Sequence, residues 1–183
     1  MEEFVSFLLQ KVYNPKHIDE KYIDAALRKT ILDAKYHNQQ LSDEVIIDKI
    51  ITNNNELAVF LFRLGSELHR QSEEALKSQI HWLLKELCGC EIYFNNEIGE
   101  GFCVVHGEGT VIGSRNVIGK GFKIHQGCTI GHKRNGSGNG NSIGNNVTLY
   151  ANSSIIGELN IGNLGIILFS LGTIWSGVTW KRK

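Results

Sequence analysis

Residues 91–131 read EIYFNNEIGEGFCVVHGEGTVIGSRNVIGKGFKIHQGCTIG, and the spacing of their aliphatic side chains decides the fold. Ile92, Ile98 and Val104 stand six apart, and so do Ile112, Ile118, Ile124 and Ile130. Further on the count resumes at Ile143 and continues through Leu149, Ile155, Ile161 and Ile167. Glycine directly follows the aliphatic residue at Gly99, Gly113, Gly119, Gly131, Gly144 and Gly162. A repeat of six with Ile, Leu or Val at every site is the signature of a β-helix built from hexapeptides.

Each hexad supplies a short strand and a corner, with the aliphatic side chain turned toward the axis and small or turn-forming residues at the bends. One strand cannot bury that face alone. Stacked coils can, because strands of successive coils pair about 4.8 Å apart and their aliphatics merge into columns. Residues 91–163 resemble the left-handed parallel β-helix of the hexapeptide-repeat acyltransferases, in which three hexads complete one coil. The left hand is what the resemblance implies; the general rule for parallel crossovers gives the right.

With three hexads to a coil, Ile92 stacks on Ile112, Ile98 on Ile118 and Val104 on Ile124, and the breaks in the count become informative. The step from Val104 to Ile112 is eight, and the surplus falls in Val105-His106-Gly107-Glu108-Gly109. This predicts a histidine pushed out at a glycine-rich corner. Glu91 lies one coil above Val111, near where that corner re-enters the stack, and a carboxylate beside an imidazole is the arrangement a general base needs. His125, one coil below Val105, is expected to line the same cleft. A plain turn role for His106 is the competing reading.

The second break, from Ile130 to Ile143, spans thirteen residues, so His132 to Asn141 must leave the coil as a loop. Its start, Gly131-His132-Lys133-Arg134, combines positive charge with open backbone N–H groups that could receive a pyrophosphate. A solvated surface loop is the alternative.

Outside the repeat the chain changes character. Of 20 glycines only Gly65 precedes Gly89, and apolar residues of residues 4–87 recur at helical spacing, as in Tyr22, Ala25, Ala26 and Ile31, Ala34. About four helices are expected, with Asn53-Asn54-Asn55 as a break and Ser72 as the N-cap of the last. His17, His37, His69 and His81 read as solvent-facing or satisfied core histidines. The predicted organisation is α+β: a helical domain over 1–88, then the hexapeptide-repeat β-helix with an irregular tail over 89–183.

Nineteen Lys+Arg balance nineteen Asp+Glu, which argues against a nucleic-acid or membrane-surface partner. Four cysteines, Cys88, Cys90, Cys103 and Cys128, form no CxxC pair, and the acidic start Met1-Glu2-Glu3 is not an export signal; a reducing, cytoplasmic setting is expected. Leu164 to Trp180 carries no charge but is shorter than the about twenty apolar residues of a membrane span, and reads as a degenerate last coil before Lys181-Arg182-Lys183.

The run from Glu91-Ile92 through Ile98-Gly99, Gly101, His106, Gly109, Val111-Ile112-Gly113 and Gln126-Gly127-Cys128-Thr129-Ile130-Gly131 is similar to serine O-acetyltransferases, more weakly joined by Phe62-Arg63-Leu64-Gly65 in the helical half. The resemblance implies acetyl-CoA as co-substrate, no metal, His106 with Glu91 as the catalytic dyad, and a homotrimer or a dimer of trimers with acetyl-CoA between subunits. His125, Gly131, His132, Lys133 and Arg134 would line the substrate and CoA site. The family usually has aspartate where Glu91 stands. Val105 replaces an aspartate that helps hold the amino acid, and the loop histidine falls at Gly140 or Asn141; both departures touch recognition of serine.

The expected reaction is transfer of acetyl from acetyl-CoA to L-serine or another small hydroxyl acceptor such as a sugar. Direct transfer needs no covalent enzyme intermediate, so Cys103 and Cys128 are read as wall residues. Two alternatives stand beside it. One is a metal held by His106, His125 and His132, as in the hexapeptide-repeat carbonic anhydrases. The other is a non-catalytic trimeric scaffold.

Overall fold

The computed structural model describes residues 1–134 and 138–168, and these form five helices followed by twelve short parallel strands. The helices are α1 (Glu2–Leu9), α2 (Glu20–His37), α3 (Asp43–Thr52), α4 (Asn54–Arg70) and α5 (Glu74–Cys88). The sequence reading expected about four; residues 38–42, which part α2 from α3, hold no glycine or proline to mark the break.

Local chemistry sets the boundaries. The hydroxyl of Ser42 accepts from Val45 N at the start of α3, and Asn53 Oδ1 accepts from Asn55 N at the start of α4. Ser72 does not cap α5 as expected. It closes α4 instead, with φ of 59°, while Glu73 N donates to Leu68 O at 2.9 Å and Ser72 N to His69 O at 3.1 Å. That bond pattern satisfies the last carbonyls of α4, and Glu73 stands at the N-cap of α5 with no side-chain cap bond. Gly89, with φ of 63°, ends α5 in the left-handed conformation that glycine adopts without strain.

Helix α4 is the centre of the helical half, packed by α2, α3, α5 and the third strand, and it is buried from Leu57 to Gly65. Gly65 is the contact point with the strands: any side chain there would run into the ring of Phe94. Beside it, Arg63 joins Asp33 of α2 and the carbonyls of Ile98 and Gly99.

The strands form three four-stranded parallel sheets, β1-β4-β7-β10, β2-β5-β8-β11 and β3-β6-β9-β12, one for each side of a triangular coil. Glu91–Ile92 is β1, Glu97–Ile98 β2, Cys103–Val104 β3, Val111–Ile112 β4, Val117–Ile118 β5 and Lys123–Ile124 β6. Thr129–Gly131 is β7, Ser142–Ile143 β8, Thr148–Leu149 β9, Ser154–Ile156 β10, Asn160–Ile161 β11 and Ile166–Ile167 β12. The three expected stacks form: Ile92 on Ile112, Ile98 on Ile118 and Val104 on Ile124.

Register follows the arithmetic of the interruptions. An uninterrupted coil advances eighteen residues, as from Val111 to Thr129. The first break makes it twenty, from Glu91 to Val111, and the second makes it twenty-five, from Val117 to Ser142. Each buried Ile of these columns contributes about 1.5–3 kcal/mol relative to leaving it in water.

A column of asparagines lines one corner. Asn96 Oδ1 accepts from the backbone N and Nδ2 of Asn116, Asn116 Oδ1 accepts from both nitrogens of Asn141, and Asn141 Oδ1 accepts from Leu159 N. All three residues are buried, so every bond replaces one that water can no longer make. Asn141, read from sequence as loop, is therefore a rung of the coil. The repeat holds to the last site counted in the sequence: β12 pairs in register with β9, Ile167 opposite Leu149. The rest of the uncharged segment lies outside the described residues. No described helix is long and apolar enough to cross a membrane.

Candidate active site

The two surplus residues of the first break are absorbed between β3 and β4, and the corner is pinned on both sides of His106. Val105 N keeps register by donating to Ile124 O at 2.9 Å. Gly107 is buried under the end of α5, where a Cβ would stand 3.1 Å from Cys88 O, and its N–H donates to Asn55 Oδ1 at 3.1 Å. Gly109 N donates to Gly89 O at 2.9 Å. Between these anchors the His106 side chain is exposed, as the spacing predicts.

Below it runs a strip of rings. His106 meets His125 edge to face at 6.2 Å between centroids, and His125 stacks on Tyr150 at 4.8 Å and 23°. Thr110 Oγ1 donates to His125 O at 2.8 Å, tying the strip to the corner. Burial lowers the pKa of His125, and the charges of His106 and Lys123 lower it further. Sequence reasoning misses Tyr150, although the twenty-five-residue coil places it under His125; the signal needs the register.

Glu91 is not brought to His106. It sits opposite Val111 as expected, but its carboxylate is held by Lys85 Nζ at 3.1 Å and lies 3.5 Å from His81 Nε2, and it makes no ion pair with His106 among the described residues. Spacing along the strands located its height in the stack correctly; it carried no information on α5, which runs past β1 and offers these two side chains. His81 is in turn wedged against Tyr93 and Phe94. Burial lowers its pKa, with the Glu91 carboxylate opposing.

The second insertion leaves from the opposite end of its strand. Gly131 closes β7 and pairs with Ile156, and His132 Nε2 donates to Ser114 O at 2.7 Å. Lys133 and Arg134 are exposed, and Asn139 N donates to Glu158 Oε1 at 3.0 Å. This loop lies at the corner after β7, whereas His106 lies at the corner before β4. Both strands belong to one sheet, so the sheet's width separates His106 and His125 from His132, Lys133 and Arg134 within a chain. The three histidines of the metal reading do not gather: among the described residues no three His, Cys, Asp or Glu side chains are placed to hold an ion.

The cysteines are poor nucleophiles. Burial raises the thiol of Cys90 to about 12 and raises those of Cys103 and Cys128; Cys128 Sγ donates to Tyr150 O at 3.1 Å.

A helical bundle leading into a left-handed hexapeptide β-helix is the fold of the solved serine acetyltransferases. The Neisseria gonorrhoeae enzyme in complex with serine superposes with a TM-score of 0.66 at 23% identity, covering 90% of this chain and 63% of that one. The Brucella abortus enzyme in complex with coenzyme A gives 0.65 at 18%, covering 90% and 62%. In sequence the chain is similar to the serine acetyltransferase of Synechococcus elongatus, 30% identical over 106 residues, and to serine acetyltransferase 2 of Arabidopsis thaliana, 32% identical over 106 residues. Each alignment covers 57% of this chain, which spans 43% of the first relative and 33% of the second. No family model matches the chain.

Proposed function

We propose that the chain is an acetyl-CoA-dependent O-acetyltransferase acting in the cytoplasm, with His106 as general base and L-serine as the favoured acceptor, a sugar hydroxyl being the alternative. The observation that carries this reading is the exposed imidazole of His106, expelled from an otherwise regular coil and held between pinned neighbours; the similarity to serine acetyltransferases supports it. His106 takes the acceptor's hydroxyl proton as the oxygen bonds to the thioester carbonyl carbon. The C–S bond then breaks, and the imidazolium returns the proton to the departing thiolate. The wall thiols take no part.

In this reading Lys133, Arg134 and the backbone at Gly131 and His132 receive the pyrophosphate of acetyl-CoA. Because one chain keeps that loop and His106 at different corners, the loop that serves a given His106 belongs to a neighbouring copy in a homotrimer. Outward-facing Val117 and Ile166, 52% and 59% exposed on two different sheets, are apolar surface that such packing would cover. Sedimentation of the purified protein reads the trimer directly.

The test is an acceptor screen with acetyl-CoA, following thiol release, on wild type and His106→Ala. Release that depends on one hydroxyl acceptor and is lost in the variant supports the reading. Equal release by both proteins for every acceptor overturns it.

A further inference from the structure

Among the described residues the imidazole of His106 makes no hydrogen bond or ion pair, and the ring it meets is that of His125. A base on an exposed side chain turns among several rotamers, and only those that point its free nitrogen at the acceptor hydroxyl are productive. Glu91, held by Lys85, does not make that selection. Something else at the corner has to.

The rings below His106 have fixed positions, and register is the reason. Strands β6 and β9 pair with Ile124 opposite Leu149, so the next residues, His125 and Tyr150, fall on the same corner one coil apart. Their centroids stand 4.8 Å apart, the spacing of paired strands, and their planes differ by 23°. The backbone beneath is bonded from coil to coil: His125 N donates to Leu149 O at 3.0 Å and Tyr150 N to Ile167 O at 2.9 Å. Tyr150 O accepts from Ser153 N and from Cys128 Sγ, both at 3.1 Å. Val104 pairs with Ile124, which puts Val105 and not His106 over His125. His106 is therefore one residue off the column and meets His125 diagonally, at 6.2 Å and 66°.

An edge-to-face pair favours one mutual orientation of its rings, strongly enough to bias a set of rotamers by about two- to tenfold. The phenol of Tyr150, the Lys123 ammonium and His106 are the titratable groups about His125. Burial lowers the pKa of His125, and the charges of His106 and Lys123 add to that, so its ring is neutral at neutral pH and does not oppose an imidazolium at His106. We propose that His125 is a positioning residue for His106 and that Tyr150 acts through it: the stacked pair holds the base in the orientation that takes the acceptor's proton. The effect on catalysis rests on the acetyl-transfer reading at His106; the ring contact does not.

The experiment compares His125→Ala, His125→Phe and Tyr150→Ala with wild type in steady-state acetyl transfer, in melting temperature, and in NMR of the His106 ring protons, assigned by their loss in His106→Ala. In wild type the ring current of His125 displaces those signals from the position of a free histidine. His125→Ala should return them to it and lower kcat about two- to tenfold, with melting temperature and the KM of both substrates unchanged. His125→Phe, which keeps a ring without its nitrogens, should restore the displacement and most of kcat. Tyr150→Ala should fall between wild type and His125→Ala. Signals unmoved in His125→Ala overturn the proposal, as do an unchanged kcat, a raised KM at constant kcat, and a Phe variant as slow as the Ala variant. Wild type that transfers no acetyl, with the signals still moved in His125→Ala, removes the reaction and keeps the contact; acetyl transfer with unmoved signals does the reverse.

Discussion

Asp33 and Arg63 meet through two hydrogen bonds of 2.7 Å, Nε to Oδ2 and Nη2 to Oδ1, in the seam between the helices and the first coil. Arg63 also donates to the carbonyls of Ile98 and Gly99, and Asp33 accepts from the amides of Gly101 and Phe102, so one pair satisfies both sides of a corner. Arg63→Met leaves the buried Asp33 carboxylate without its counter-charge, and Asp33 Oδ2 and two carbonyls without donors, and should destabilise by about 3–5 kcal/mol. In the double variant with Asp33→Leu the loss should be well below the sum of the singles, measured by urea unfolding.

His106→Ala should lower kcat for acetyl transfer by about 10²–10⁴ while coenzyme A affinity stays within a factor of two or so. A variant that loses activity together with coenzyme A binding would point to a binding role for the imidazole.

Glu91→Gln separates a clamp from a catalytic acid. Held by Lys85 and facing His81, Glu91 ties α5 to β1, so the variant should melt lower and keep kcat within about tenfold of wild type. A kcat loss equal to that of His106→Ala, at unchanged stability, returns Glu91 to the reaction.

Stability should fall on mild acidification. Burial lowers the pKa of both His37 and His81 from the ordinary 6.5. The folded state therefore binds fewer protons than the unfolded chain, and their contribution is complete above about 6.5 and lost as pH falls through the lowered values. Melting temperature should be flat above that point and drop below it, with a shallower drop in His37→Gln. A curve unchanged by that substitution excludes His37 as a source.

Asn116→Ala should cost about 1–3 kcal/mol, because Asn141 N is left buried without its acceptor. Asn116→Asp should cost more, since a carboxylate oxygen would then face Asn96 Oδ1 and Gly113 O. Thermal or urea melting reads both.

The β-helix was legible because its register is a matter of counting: a side chain every six residues fixes which aliphatics stack, and the surplus of two at Val105–Gly109 marks where a residue must leave. The role of Ser72 was harder, because a left-handed closing residue leaves little periodic trace. Asn141 reads as loop in the sequence because its ladder neighbours Asn116 and Asn96 lie one and two coils away.

The amino-acid order by itself determined the coil, its stacking pairs and the exposure of His106, since these depend on residue spacing along a strand that can bury only one face. Only the tertiary structure decided what Glu91 touches and that the loop of Lys133 and His106 occupy different corners of one chain. Those relationships depend on the direction in which separate elements pack, and that direction is set by contacts such as Arg63 with Asp33 and Phe94 over Gly65, which no repeat encodes.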